Sequence, residues 1–198
     1  MSNAPPNANY TPAYLLGGIS LGLFVVCLPF LTVPASKKLG SLPWMATPHR
    51  TIQRLFSVPA IQQGKRDLFV DLGSGDGRLV IEAARQGYAL SIGHELNPVL
   101  IGMSYINAAR AGVLGRVRFS RRDFWTSDLD QADVVSCFGV NSIMGRLHAK
   151  LEERRAQNKQ LPTTLVCLFR FNFPDSVINP GTTLVHRDVK HELFVYKM

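Results

Sequence analysis

The sequence predicts an α/β domain with one mostly parallel β-sheet that ends in an antiparallel hairpin, preceded by one N-terminal transmembrane helix. Three observations predict this fold. Residues 13–33 form an apolar run without a charge. From Asp67 onward, short β-rich runs alternate with helix-length stretches, which is typical of a sheet covered by helices on both faces. After Phe173 no further helix is expected, and two strand-like runs complete the chain.

The N-terminal segment has the length and composition of a membrane anchor. None of the first 36 residues is Asp, Glu, Lys or Arg, and a helix over about 13–33 is long enough to cross roughly 30 Å of hydrocarbon. The first positive charges, Lys37 and Lys38, follow directly, so the positive-inside tendency leaves the folded domain on the cytosolic or matrix side. A buried core helix of a soluble protein is the alternative. A cleaved signal peptide is disfavoured, because the start is uncharged and no clean cleavage site follows.

The length and the net charge of the chain limit the classes of protein to which it can belong. The chain of 198 residues has room for one well-buried domain and an appendage. Its net charge of +8 suits a nucleic-acid binder, a protein on anionic lipid or a resident of the mitochondrial matrix, and does not choose among them. The three cysteines, Cys27, Cys137 and Cys167, show no metal-ligand spacing and are predicted to be reduced and buried. No metal site is expected.

Three parts are predicted along the chain: a tail and anchor over 1–36, a connector over 37–66, and the α/β domain over 67–198. The connector contains a predicted helix over 48–56, with Thr47 as its N-cap and Pro48 at its first helical position. The predicted strands of the domain are 68–72, 89–95, 117–120, 132–138, 163–169, 182–186 and 192–197. Its predicted helices are 77–86, 98–111 and 142–157.

A glycine-rich turn between the first strand and the first helix of the domain is the strongest functional signal. Residues 70–80 read VDLGSGDGRLV. Gly73, Gly75 and Gly77 let the backbone turn sharply and approach a ligand without interference from a Cβ. Together with Ser74, they are predicted to bind a cofactor.

Two carboxylates beside this turn narrow the choice of cofactor. Asp71 and Asp76 would repel the phosphates of a dinucleotide, so a cationic ligand is better suited. S-adenosylmethionine has a sulfonium and an ammonium group and no phosphate. Asp71 is placed to attract the ammonium, directly or through water. The sequence therefore predicts a Rossmann-like sheet of the seven-stranded methyltransferase type.

Two further acids follow the next two predicted strands. Glu95 ends the second strand, where a carboxylate can accept both hydroxyls of a ribose. Asp123 follows the third strand and is a candidate acceptor for the exocyclic amine of adenine, with Phe124 or Trp125 stacked on the ring. The alternative for Glu95 is an exposed acid at a strand end, and the alternative for Asp123 is an ordinary loop acid. Three acids placed after three successive strands are harder to explain as residues with a purely structural role.

The turn after the fourth strand is the candidate acceptor channel. Residues 138–144 read FGVNSIM, with Phe138 as a candidate wall, Gly139 beside it, and Asn141 as a candidate hydrogen-bond partner of the acceptor. Methyl transfer is an in-line displacement, for which alignment and desolvation supply most of the rate. No catalytic base is identified. A plain strand-to-helix turn explains these residues equally well.

Several motifs together resemble one enzyme family. They are LPFLTVPA at 28–35, Ala46-Thr47-Pro48, VDLGSGDGRLVIEAA at 70–84, GHELNPVL at 93–100, DFW at 123–125, FGVNSIM at 138–144 and FRFNFP at 169–174. On these motifs the chain resembles the small membrane-anchored mitochondrial lysine methyltransferases that modify the adenine nucleotide translocase and the ATP synthase c subunit. The resemblance runs from the apolar segment almost to the C-terminus. The glycine-rich turn alone would indicate only a methyltransferase.

The resemblance implies an S-adenosylmethionine-dependent protein-lysine N-methyltransferase in the mitochondrial inner membrane, single-pass and with its catalytic domain facing the matrix. Its substrate would be an inner-membrane protein, the ATP synthase c subunit rather than the translocase, and its N-terminal helix would contact the bilayer. Thr47 would help to enclose the cofactor, and the segments at 138–140 and 169–174 would flank the acceptor lysine. No nucleic-acid partner is expected. The alternatives are a methyltransferase for RNA or a small molecule, and a non-catalytic membrane-bound assembly factor with this fold.

Overall fold

A computed structural model describes residues 45–157 and 163–198. The predicted tail and anchor over 1–36, with Cys27, lie outside the described residues, as does the connector up to residue 44. Within the described ranges, no helix is both long enough and apolar enough to cross a bilayer.

The described chain alternates helices and strands, as predicted. Its α-helices are α1 (His49–Phe56), α2 (Pro59–Gln63), α3 (Arg78–Arg85), α4 (Pro98–Arg110) and α5 (Asn141–Gln157). Its strands are β1 (Leu68–Leu72), β2 (Leu90–Glu95), β3 (Val117–Arg121), β4 (Val134–Phe138), β5 (Leu165–Phe169), β6 (Thr183–Asp188) and β7 (Leu193–Lys197). Short 3₁₀ turns at Leu114–Arg116, Phe124–Thr126 and Asp175–Val177 lie in the connections.

The seven strands of the described chain form one mixed sheet in the order β3-β2-β1-β4-β5-β7-β6. Strands β1 to β5 are parallel, and β7 pairs antiparallel with both β5 and β6. The predicted closing hairpin is therefore confirmed, and its second strand is the one inserted beside β5. The strand order reverses between β1 and β4, and the carboxyl ends of these strands form the crevice where open α/β sheets bind ligands.

Apolar side chains from the helices cover both faces of the sheet. On one face, α1, α2 and α3 pack around Phe69 and Tyr88, whose rings meet edge to face with centroids 5.4 Å apart. On the other face, α5 buries Met144, Leu147 and Leu151 against the sheet. Successive residues of β1 therefore point into different cores, which is why the strand is apolar at nearly every position.

Cys137 and Cys167 belong to the central strands β4 and β5. Both are free and buried, as predicted. Burial raises the pKa of the Cys137 thiol to about 12, so this thiol stays protonated and unreactive at neutral pH.

The start of α1 differs from the prediction. Pro48, and not Thr47, occupies the N-cap position, and no side chain caps the helix. Thr47 is buried, and its carbonyl accepts a hydrogen bond from Nη1 of Arg78 at 3.0 Å. A tertiary contact therefore holds Thr47 outside the helix, and its predicted role as N-cap is wrong.

Asp133 fixes the start of β1 against β4. Its Oδ2 accepts hydrogen bonds from the backbone amides of Asp67 and Leu68, both at 2.9 Å. Its own amide donates to the carbonyl of Leu68 at 3.0 Å. These bonds join the end of the connector to the central strands of the sheet.

We expect Asp133→Ala to lower the free energy of unfolding of the full chain by about 2–3 kcal/mol, because two backbone amides lose a charged acceptor. Urea unfolding followed by circular dichroism measures this change. Asp128→Ala is the matched control, since Asp128 is exposed and accepts one backbone hydrogen bond, from Asp130 at 2.8 Å; it should cost at most about 0.5 kcal/mol. Equal losses in the two variants would contradict the role assigned to Asp133.

Candidate active site

The glycine-rich turn connects β1 to α3 at the crevice of the sheet. Gly73, Gly75 and Gly77 have φ angles of 82°, 55° and 79°, a region that residues with a Cβ avoid. A Cβ on Gly77 would lie 2.8 Å from the ring of Phe119 and from the Cβ of Ser104. A Cβ on Gly73 would meet no atom within 4 Å among the described residues. Gly77 therefore serves packing, whereas the backbone at Gly73 faces open space.

Strand β2 holds the turn and positions Glu95. The amides of Gly73 and Ser74 donate to the carbonyl of His94 at 2.9 and 3.0 Å. Glu95 accepts a hydrogen bond from the amide of Gly75 through Oε2 at 3.0 Å, and its Oε1 accepts from the next two backbone amides at 2.8 and 2.9 Å. The Glu95 carboxylate thus lies against the turn. Its role toward ribose hydroxyls stays a prediction.

A cavity lies between the glycine-rich turn and the segment before α1. Half of the predicted site residues line it: Thr47, Asp71, Gly73, Ser74, Gly75 and Phe138. The other half lie outside its lining: Gly77, Glu95, Asp123, Phe124, Gly139 and Asn141. The structure therefore brings the turn, the acid of β1 and the aromatic end of β4 to one place.

Asp71 forms the buried floor of this cavity. Its side chain is only 3% exposed, and its Oδ1 accepts a hydrogen bond from Oγ of Ser136 at 2.6 Å. Burial raises the pKa of the Asp71 carboxyl to about 7; the Ser136 hydrogen bond opposes this rise, and the nearby carboxylates of Glu95 and Asp76 add to it. A cation beside Asp71 would favour its ionised form. The floor is therefore suited to a positively charged ligand group.

Ser136 was not among the predicted site residues. It lies opposite Asp71 in the register of β1 and β4, so its hydroxyl reaches the carboxyl across the strand pair. The signal in the sequence is the polar residue inside the apolar run VVSCF at 134–138.

Arg78 joins the turn to the segment before α1. Its guanidinium donates two hydrogen bonds to the carboxylate of Asp76, at 2.8 and 2.6 Å, and a third to the carbonyl of Thr47 at 3.0 Å. These three residues form a clasp, the Asp76–Arg78–Thr47 clasp, along one side of the cavity, beside Met45. Arg78 was not predicted as a site residue. In the sequence, the position of Arg78 two residues after Asp76 indicates the ion pair.

The wall of the cavity on the β4 side is aromatic. Phe138, at the end of β4, stacks on Phe169, its neighbour in register at the end of β5, with ring centroids 6.3 Å apart and planes 15° apart. Gly139 is buried, and a Cβ there would overlap the side chain of Met144. Asn141 begins α5 and is exposed. The roles of Gly139 and Asn141 toward an acceptor stay predictions.

The loop after β3 carries Asp123 and Phe124. Asp123 accepts a hydrogen bond from the amide of Trp125 through Oδ1 at 3.0 Å, which fixes the 3₁₀ turn. The guanidinium of Arg146, from α5, lies 4.0 Å from the centre of the Trp125 ring. The loop is therefore anchored on α5, and the adenine-binding roles of Asp123 and Phe124 stay predictions.

The groups around the cavity fit S-adenosylmethionine. The Asp71 carboxyl suits its ammonium end, and the turn offers a backbone free of Cβ atoms at Gly73. Oγ of Ser74 is buried against Gly93 of β2 and has no hydrogen-bond partner within the described part of the chain. A diphosphate fits poorly, because it would meet the carboxylates of Asp71 and Asp76.

Comparisons with known proteins agree with this chemistry. A family model for the ANTKMT methyltransferase domain matches residues 71–179. The human lysine N-methyltransferase named for the c subunit of ATP synthase is 35% identical over 173 residues, covering 86% of this chain and 70% of that protein. The mouse adenine nucleotide translocase lysine N-methyltransferase is 36% identical over 111 residues, covering 56% of this chain and 47% of that protein.

A solved structure is similar over most of the described chain. It is an RNA methyltransferase from Salinibacter ruber in complex with S-adenosyl-L-homocysteine, with a TM-score of 0.64 and 29% identity, covering 77% of this chain and 92% of that chain. S-adenosyl-L-homocysteine is what remains of S-adenosylmethionine after its methyl group has been transferred. The chain is accordingly an enzyme that transfers a methyl group from S-adenosylmethionine.

We expect Asp71→Asn to stabilise the ligand-free protein while weakening cofactor binding. In the folded chain the Asp71 pKa is about 7 against 3.8 for an ordinary aspartate, so ionising Asp71 costs folding free energy. The cost grows as the pH rises from about 4 to 7 and reaches on the order of 4 kcal/mol above that range. Asparagine keeps the shape and the Ser136 contact without the charge. The variant should therefore melt higher than the parent at pH 8 and equally at pH 4, and bind S-adenosylmethionine at least about tenfold more weakly at pH 8.

Thermal unfolding at the two pH values and calorimetry of cofactor binding test this expectation. Asp67→Asn is the matched control, because Asp67 is exposed and lies outside the cavity lining; it should change neither quantity. A lower melting temperature of Asp71→Asn at pH 8, or unchanged cofactor affinity, would contradict the assignment of Asp71 as the floor of the cofactor site.

Proposed function

Because the chain belongs to the ANTKMT methyltransferase domain family and uses S-adenosylmethionine, we propose that it methylates a lysine side chain of a mitochondrial inner-membrane protein, the c subunit of ATP synthase. The observation that carries the proposal is the similarity to enzymes named for this activity, which extends over 86% of the chain in the human, frog, rat and worm proteins. The identity is 32–36% in these four.

The cavity supports a separate role for each of several residues in cofactor binding. Asp71 holds the ammonium end, and Gly73, Ser74 and Gly75 line the path of the ligand along the turn. Glu95 accepts the ribose hydroxyls by exchanging some of its present bonds with backbone amides for bonds with the ligand. On the far side of the ribose, Asp123 and Phe124 receive the adenine, and Gly77 keeps α3 close to the turn. Thr47 covers the ligand through the clasp.

The aromatic wall supports a lysine acceptor. When bound, S-adenosylmethionine supplies an activated methyl group, and the acceptor must approach in line as a neutral amine. Phe138 lines the cavity and is backed by the buried ring of Phe169, and such an apolar surface lowers the pKa of a lysine that enters it by excluding water. Gly139 and Asn141, which follow Phe138, would then border the acceptor channel. The lysine ammonium releases its proton to solvent before the methyl transfer, because no residue of the site is identified as a base.

The described part of the chain is compatible with tethering beside a membrane. Met45, its first residue, lines the cofactor cavity, so the connector meets the domain at the active site. We include in the proposal an anchor helix over about 13–33 within a tail over 1–36, a connector over 37–66, and a methyltransferase domain over 67–198 that faces the matrix. Confining enzyme and substrate to one membrane would raise their effective concentration.

An RNA substrate is the second candidate function. The similarity to the Salinibacter ruber RNA methyltransferase, at 29% identity, and the net charge of +8 favour it. The identity to the lysine methyltransferases is higher and extends over more of the chain, which ranks lysine first.

We expect the purified full chain to transfer methyl groups to the ATP synthase c subunit in membranes that lack this modification. The acceptors are offered in parallel: inner-membrane vesicles that contain ATP synthase and the adenine nucleotide translocase, the same vesicles with their lysines acetylated beforehand, and total RNA. Mass spectrometry of the proteins and nucleoside analysis of the RNA measure the transfer. Methylation should appear on a lysine of the c subunit and disappear in the acetylated vesicles.

Two variants make this experiment decisive. At S-adenosylmethionine concentrations below saturation, Asp71→Asn should lower transfer at least about tenfold, and Asp67→Asn should leave it unchanged, since only the first removes a cavity carboxylate. Methyl groups found on the translocase or on RNA, with none on the ATP synthase, would refute the proposed substrate. Failure of the parent chain to modify any of the acceptors while it binds S-adenosylmethionine would refute the enzymatic proposal itself.

A further inference from the structure

The outer side of α4 is apolar although it faces solvent. From Pro98 to Ala109 the helix has no charged residue, and Arg110 is its only charge. Its inner side already supplies core residues, namely Leu100, Ser104 and Ala108. A helix on the surface of a soluble domain normally presents charged and polar residues outward. The outer side of α4 therefore lacks the charged side chains that a solvent-exposed helix side normally carries.

Large apolar side chains on and around this side are exposed. On α4, Met103 is 37% exposed and Ile106 is 54% exposed, and their spacing of three residues puts them on one side of the helix. Leu96, just before the helix, is 55% exposed, and Leu114, in the turn after it, is 46% exposed. Tyr105 differs, because its hydroxyl donates to the backbone of β3. The four others have the character of a contact surface.

Arginines border these apolar residues. From Leu96 to Arg122 the sequence contains no Asp or Glu. It contains five arginines, all exposed: Arg110, Arg116, Arg118, Arg121 and Arg122. Within the described residues none of the five forms a salt bridge. The two acids of the neighbouring α3 region are already engaged, Asp76 with Arg78 at 2.6 Å and Glu82 with Arg85 at 3.8 Å.

These elements belong to one edge of the molecule. Strand β3 is the edge strand of the sheet, and α4 packs against it through the edge-to-face contact of Tyr105 with Phe119. Arg121, at the end of β3, donates to the carbonyl of Leu96 at 3.3 Å. The α4–β3 surface, defined as Leu96, Met103, Ile106 and Leu114 with Arg110, Arg116 and Arg121, thus combines exposed apolar residues with positive charge that no salt bridge of the described residues compensates.

We propose that the α4–β3 surface docks the folded domain onto a lipid bilayer that carries anionic headgroups. Apolar side chains that enter the acyl boundary and arginines that meet lipid phosphates are the two contributions to such binding. RNA offers phosphates, but it has no use for exposed Leu, Ile and Met side chains, and stacking aromatics are missing among the four. A second copy of the chain would set the arginines of this surface against the same arginines of the first copy. This inference goes beyond the proposed function and does not depend on the predicted anchor.

Docking by this surface would place the active site at the membrane. Leu96 directly follows Glu95, which contacts the glycine-rich turn through the amide of Gly75. The apolar side of α4 therefore starts next to the cofactor cavity. An acceptor that projects from a membrane protein near the headgroups would then meet the cavity without a large displacement of the domain.

Spin labels read the depth of this surface in the bilayer separately from any insertion of the N-terminal segment. In the full chain with Cys27→Ser, the remaining cysteines are buried and do not react. A nitroxide is attached through Ile106→Cys, and in the matched control through Leu184→Cys, which lies on β6 at the opposite edge of the sheet and is 43% exposed in the parent. Power saturation measures the accessibility of each label to oxygen relative to a water-soluble nickel chelate. Vesicles of phosphatidylcholine alone are compared with vesicles of phosphatidylcholine and phosphatidylglycerol.

We expect the oxygen-to-nickel ratio at position 106 to rise several-fold on the phosphatidylglycerol vesicles only, and the ratio at position 184 to stay at its value in water on both. Adding Arg110→Gln and Arg121→Gln should lower the docked-to-free ratio about fivefold per arginine removed. S-adenosylmethionine binding and circular dichroism verify that each variant is folded. A label at 106 that stays in water on both vesicles, that enters both equally, or that is shielded by added RNA and not by vesicles would overturn the proposal.

Discussion

The buried carboxyl of Asp71, held by Ser136 at the centre of the sheet, is the feature on which the site depends. A carboxyl in such a place is costly to ionise without a cation, and its position at the switch point between β1 and β4 leaves one open direction, toward the cavity. The glycine-rich turn and the aromatic end of β4 line that direction, and Glu95 lies against the turn. The site therefore contains one buried carboxyl whose ionised form a cationic ligand would stabilise.

The order of strands and helices could be predicted because central parallel strands bury both of their faces and leave apolar runs in the sequence. The bounds of β1 agree with the prediction at both ends. Strands β4 and β5 begin two residues later than predicted, at Val134 and Leu165, although the backbone of Thr164 still pairs with that of Met198, in register with the β5–β7 ladder. Helix α2 was not predicted, since one buried side chain, Ile61, gives no periodic pattern.

The positions of Asp71 in the cavity lining and of Glu95 against the glycine-rich turn could be predicted for a geometric reason, whereas the role of Asp123 stays a prediction. The carboxyl ends of parallel strands meet at one edge, so acids that follow successive strands come together there. The clasp could not be predicted in full. The contact of Arg78 with Thr47 spans 31 residues of sequence and ends on a backbone carbonyl, and every residue type offers that acceptor. The side chains that line the cavity thus leave a signal in the sequence, whereas the hydrogen bond that holds the segment at Thr47 does not.

The clasp has a consequence for the timing of the catalytic cycle. In the proposed complex with the cofactor, the demethylated product would leave past the segment that Arg78 holds, so release would require the Arg78 guanidinium to exchange the carbonyl oxygen of Thr47 for water. Where such a covering segment opens more slowly than the reaction proceeds, opening sets the turnover number. Product inhibition and residence time in this enzyme would then be governed by one hydrogen bond to the main chain, outside the reacting atoms.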